Sequence, residues 1–160
     1  MTLFGPNKRK QAKAKRLAKE MRLRVLKYCE AYTAKEAGKL LGLGPNDMAN
    51  LRAGNGVSLL MLVRIIKNGR FTPNSLLSGN TLRRLRKGTS TRGVRAESIT
   101  KRICKIALDG PPQHVARKTG LAAVTLYQFR TQPPNIVSLH TVLSFIEAGY
   151  STDRLILGRT

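Results

Sequence analysis

The sequence predicts an all-α protein made of two similar helical units in tandem, and three observations carry that expectation. Hydrophobic residues fill 41% of the 160 positions, yet aromatics are only 5% and Trp is absent, so a core must be built mainly from Leu, Ile, Val, Met and Ala. Apolar positions recur at helical spacing, and no strand-type alternation lasts beyond a few residues. The second half of the chain also repeats the first. Arg24, Val25 and Lys27 match Arg102, Ile103 and Lys105; Gly42-Leu43 matches Gly120-Leu121; Leu51-Arg52 matches Phe129-Arg130, all 78 positions apart. After a small loop difference, Val57-Ser58-Leu59 matches Val137-Ser138-Leu139 at 80, and Leu76, Leu77 and Gly79 match Leu155, Ile156 and Gly158 at 79. A unit of about 60 residues therefore occurs twice.

Each unit reads as five short helices. Met21, Val25 and Tyr28 share one face of a first helix, and Leu17 extends that stripe backwards. Residues 35–41 form a second helix, with Thr33 as its N-cap and Gly42 as its stop. Residues 45–52 form a third, opened by Pro45, whose missing N–H costs nothing in a first turn, and ended by Gly54 and Gly56. Leu59, Leu62, Val63 and Ile66 give the stripe of a fourth helix that stops at Gly69, and 74–77 closes the unit. The second unit repeats the pattern with 99–108, 113–119, 122–130, 139–148 and 153–157. Between the units, Arg83, Arg84, Arg86, Lys87, Arg92 and Arg95 lie among Gly, Ser and Thr, the composition of a mobile basic linker. The expected division is a basic arm at 1–19, a first unit at 20–79, the linker at 80–97 and a second unit at 98–160, each unit with its own core.

Charge dominates the choice of partner. Thirty Lys and Arg face eight Asp and Glu, a formal net charge of +22. A nucleic acid is the first partner this implies and an anionic membrane surface the second. Lys8, Arg9 and Lys10 follow the first six residues without an apolar run, so no secretory signal is expected, and no stretch has the length and apolarity of a membrane span. Cys29 and Cys104 are expected as buried free thiols, and His114 and His140 complete no zinc spacing. The eight acids are scattered one per element, with no paired carboxylates for metal-dependent phosphodiester chemistry. The expectation is a non-enzymatic cytoplasmic, nucleoid-associated protein without cofactor or metal and without a membrane partner.

One spacing carries the functional reading. A helix-turn-helix needs a small residue where its two helices pass closely, a turn glycine four residues later, and apolar anchors six and nine residues beyond that glycine. The first unit supplies Gly38, Gly42, Met48 and Leu51; the second supplies Ala116, Gly120, Leu126 and Phe129. One such match is common, and two copies at a fixed offset are not.

The stretch from His114 to Gly158, above all Val137-Ser138-Leu139-His140-Thr141-Val142-Leu143, then Ala148-Gly149 and Thr152-Asp153-Arg154-Leu155-Ile156, resembles the five-helix DNA-binding domain of lambda-repressor and Cro-type regulators. The first unit is a more divergent copy ending in Phe71-Thr72-Pro73-Asn74-Ser75-Leu76-Leu77. The resemblance covers about 20–79 and 98–158. It implies lambda-repressor-like folds and binding to double-stranded DNA, with no particular operator. Tandem fusion departs from the family's usual dimer of single domains, so no dimer interface carries over and the oligomeric state stays open. The family's reading positions fall on Pro45, Asn46 and Asn50, and on Ala123, Val124 and Gln128, with Thr125 on the same helix as the last three. Asn and Gln can bond an adenine edge bidentately, whereas Ala and Val reach only a thymine methyl. Asn46, Asn50 and Gln128 are thus the base-reading candidates, beside the plain alternative of solvated polar side chains. Arg52 and Arg130 are expected on phosphate, and Tyr127 on backbone or in packing. Asp47 reads as compensation of the helix dipole.

Lys8, Arg9 and Lys10 lead a basic arm expected to follow phosphates or enter the minor groove, with a solubilising tail as the alternative, and Arg83, Arg84 and Arg86 are expected to do the same from the linker. The sequence thus points to a sequence-directed transcriptional regulator, phage-derived or bacterial, with RNA polymerase as a candidate protein partner. An architectural nucleoid protein of low specificity is the alternative, and a structured-RNA binder the third reading.

Overall fold

A computed structural model describes residues 6–79 and 81–158. The first five positions of the expected arm, the first of the linker and the last two of the second unit lie outside the described residues. All ten elements found are α-helices: α1 (Lys8–Cys29), α2 (Ala34–Leu41), α3 (Pro45–Ala53), α4 (Leu59–Gly69), α5 (Pro73–Ser78), α6 (Ala96–Leu108), α7 (Pro112–Thr119), α8 (Ala123–Thr131), α9 (Leu139–Glu147) and α10 (Thr152–Ile156). One isolated bridge, Phe71 to Arg84, is the single strand-type pairing among the described residues.

The internal repeat reappears as repeated local chemistry. Ser58 and Ser138 cap α4 and α9 by accepting from the Met61 and Thr141 amides, each at 3.2 Å. Thr72 and Ser151 cap α5 and α10 in the same way. The matched arginines make matched bonds: Arg24 donates to the Leu76 carbonyl at 2.9 Å, and Arg102 to the Leu155 carbonyl at 2.9 Å. Each guanidinium thereby satisfies an orphan carbonyl at the end of its unit's last helix and ties the unit's two ends together. Burial of Arg102 pulls its pKa below the ordinary arginine value.

Two sequence expectations are corrected by the packing. Residues 8–19 are not a free arm: α1 runs unbroken for 22 residues through the expected boundary at 19/20. Its first half lies along α9 of the second unit and its second half against α5 of the first. Ala14 and Met21 are fully buried, and Leu17 packs on the core. Asn7, the N-cap of α1, donates its own amide to the Gly120 carbonyl at 2.8 Å. Lys15 is close enough to α9 to lower the pKa of His140, second to burial as a cause. The buried side chains of both halves consequently form one cluster instead of two cores. The periodicity of Leu17, Met21 and Val25 marked the helix correctly, but its second apolar neighbour lay more than a hundred residues away.

The described part of the expected linker, 81–97, is likewise tied down. Thr72 donates to the Arg83 carbonyl at 2.8 Å, Arg83 donates to Ser75 Oγ at 2.9 Å, and Leu82 and Leu85 pack on the core. Arg70, in the left-handed region at φ 57°, caps α4 and holds the Thr89 and Arg86 carbonyls at 2.9 and 3.3 Å. At the far end Val94 is fully buried. Its basic composition described its surface and concealed three apolar anchors.

Cys29 and Cys104 are both buried and unbridged, and burial pushes both thiols above the ordinary value. No described helix is long and apolar enough to cross a membrane.

Candidate nucleic-acid interface

The two helix pairs that the spacing singled out, α2/α3 and α7/α8, are built by the same device. Gly42 and Gly120 end α2 and α7 at φ 69° and 79°, a left-handed turn that a β-carbon would strain. The next helix starts three residues on, after an extended Gly44 in the first pair and an extended Ala122 in the second. Leu43 closes the first turn by donating to the Gly38 carbonyl at 2.8 Å. Met48 and Leu51, and Leu126 and Phe129, are buried as the expected anchors.

Close approach explains the small residue. A β-carbon on Gly38 would sit 2.8 Å from the Leu43 carbonyl oxygen, a backbone atom that cannot swing aside. Gly38→Ala should therefore destabilise the protein by about 1–2 kcal/mol despite alanine's better helix propensity. Urea unfolding followed by circular dichroism measures this, and a gain in stability would contradict the crossing geometry.

On the outer face of α3, Asn46 and Asn50 are exposed, and Arg52 is exposed beside α2. Asn50 Oδ1 accepts from Asn55 Nδ2 at 3.2 Å, which orients the amide. Arg22 donates to the Leu51 and Arg52 carbonyls at 2.6 and 2.8 Å and closes the C-terminus of α3. Asp47 stands in the first turn, as the dipole argument expects, and also pairs with Arg64 at 3.1 Å. On α8, Val124 is 61% and Tyr127 46% exposed; Gln128 is exposed and Thr125 half-buried. The Tyr127 hydroxyl accepts from Gln113 Nε2 on α7 at 3.3 Å.

The expected phosphate contacts divide into two groups. Lys8, Arg9, Arg52, Arg83 and Arg86 are exposed, with side chains directed at no partner among the described residues. Three others are occupied within the chain. Lys10 Nζ donates to the Arg117 and Lys118 carbonyls at the end of α7. Arg84 donates to the Tyr28 hydroxyl at 2.8 Å and lies over the Phe71 ring. Arg130 donates to the Gly110 carbonyl. Each satisfies an acceptor far from it in the chain, a demand invisible in a charge count. Arg22 and Asn55, which hold α3 and its amide, carried no sequence signal of these roles.

Very little of the charge is neutralised internally. The ion pairs found among the described residues are Arg24–Glu20, Arg64–Asp47 and Arg95–Glu97, against 30 basic residues in the chain. Compared with family models, curated proteins and solved structures, the chain matches none.

Proposed function

We propose that the protein is a sequence-directed, double-stranded-DNA-binding regulator of transcription, phage-derived or bacterial, acting in the cytoplasm on nucleoid DNA, without catalysis or cofactor. Its two lambda-repressor-like helix-turn-helix units present α3 and α8 as recognition helices, and RNA polymerase is the candidate protein partner. The observation that carries this reading is the duplicated pair: two glycine-turned helix crossings, each leaving the outer face of its second helix exposed, on a chain whose positive charge is scarcely compensated. Asn46, Asn50 and Gln128 offer amides to base edges. Arg52 and the exposed Lys8, Arg9, Arg83 and Arg86 supply charge for phosphates.

Titration of matched specific and random duplexes tests the division of labour. Asn50→Ala and Gln128→Ala should each cost about 1–3 kcal/mol on the specific site and relax preference at different base positions. Arg52→Ala should weaken both duplexes alike, and binding should fall about 10³–10⁵-fold between 50 and 200 mM salt if 6–10 phosphates are neutralised. Equal losses on both duplexes for all three variants would remove the base-reading assignment. The architectural alternative draws support from α8, whose exposed Val124 and Tyr127 offer few hydrogen-bonding edges to bases. Retained affinity without any preferred sequence would favour it.

A further inference from the structure

The two helix pairs differ along the groove between their helices, and the repeat itself shows what is missing. In the second unit the half-exposed Tyr127 bridges from α8 to Gln113 on α7, one helical turn before Ala116. The positions 78 residues earlier are Ala49, Lys35 and Gly38. With neither the phenol ring nor the alanine methyl, the α2/α3 groove stays open, with a volume of about 810 Å³. Its floor is Gly38, Leu43 and Met48, its rim is Lys35, Lys39 and Arg52, and none of its lining residues is acidic.

We infer that this groove is a docking site for an acidic peptide segment of a partner protein, one that inserts a single aromatic side chain where the second unit uses its own Tyr127. The chain thereby supplies a template for the occupant: an aromatic side chain of tyrosine size spans the mouth of a groove between two helices of this geometry. The cationic rim supplies the sign of the flanking residues, because apolar burial anchors the ring while three positive groups select carboxylates around it. A groove of this size with few polar groups suits a peptide anchor better than a phosphate backbone, which would leave the apolar floor uncovered. The inference stands on the groove and does not require that α3 read bases.

The experiment uses the full chain and a fluorescently labelled peptide of Glu and Asp residues with one central Phe, followed by anisotropy. One peptide is expected per chain. Replacing its Phe by Ala should weaken binding at least about tenfold, the loss of one buried aromatic side chain. The paired change Lys35→Gln with Ala49→Tyr copies the residues of the second unit and should weaken binding at least as much. Lys35→Glu with Lys39→Glu should do so without filling the groove, and circular dichroism checks that each variant is folded. Equal binding by the Phe-free peptide, or by the filled variant, would reduce the interaction to non-specific attraction and overturn the inference. A random duplex whose affinity falls in the filled variant while it displaces the peptide would assign the groove to nucleic acid instead. Self-association of the chain that the filled variant abolishes would assign it to a second copy.

Discussion

Deleting residues 1–19 should cost the protein about 3–5 kcal/mol or more, a large share of the roughly 5–15 kcal/mol of a typical domain. The reason is that α1 is the shared spine of both halves. The deletion removes Ala14 and Leu17 from the seam with α9, and with them the Asn7 and Lys10 bonds to the end of α7. The face of α9 that they cover would be left in water. Met21→Ala, at a fully buried position further along α1, should cost about 2–5 kcal/mol by the usual cavity argument. Urea unfolding should show one cooperative transition in the intact chain and a midpoint shifted sharply downward in both variants. A deletion that left the midpoint unchanged and only flattened the salt dependence of DNA binding would restore the free arm that the basic composition suggested.

Moving two DNA half-sites apart by about half a helical turn, roughly 5 base pairs, should reduce affinity about 10²–10⁴-fold, to that of one unit alone. An 18-residue mobile linker could extend to about 60 Å and absorb such a change. The 81–97 segment has no such slack, because it is pinned at Arg83, Leu85, the Arg86–Thr89 turn and Val94. Together with α1 it holds α3 and α8 in one body, so the proposed reading of DNA by both helices requires one spacing and phase. Band-shift titrations across a spacing series measure this. A flat response across the series would mean that one recognition helix works alone.

What the sequence disclosed follows from the range of the interactions involved. Thr33, Gly42 and Gly120 announce helix ends because capping acts over three or four residues, and all three stand where those rules put them. The apolar stripes located the helices, and the repeat aligned Arg24 with Arg102, whose shared bond to a last-helix carbonyl belongs to the packing. What stayed hidden were partnerships between segments far apart in the chain. Nothing near Ala14 announces α9, and nothing near Arg84 announces Tyr28. A lysine that caps a distant helix, as Lys10 does, has the same composition signature as one waiting for phosphate. The open α2/α3 groove was nearer the surface of the sequence, since aligning Ala49 with Tyr127 already exposes the missing ring.

The most direct test of the account is selection of bound sequences from random double-stranded DNA by the full chain, at near-physiological salt. The prediction is an enriched site of two unlike halves at one fixed spacing, in which Asn50→Ala erases information in one half and Gln128→Ala in the other. Recovery of no motif, or of a single half indifferent to both substitutions, would contradict the claim that α3 and α8 read DNA together.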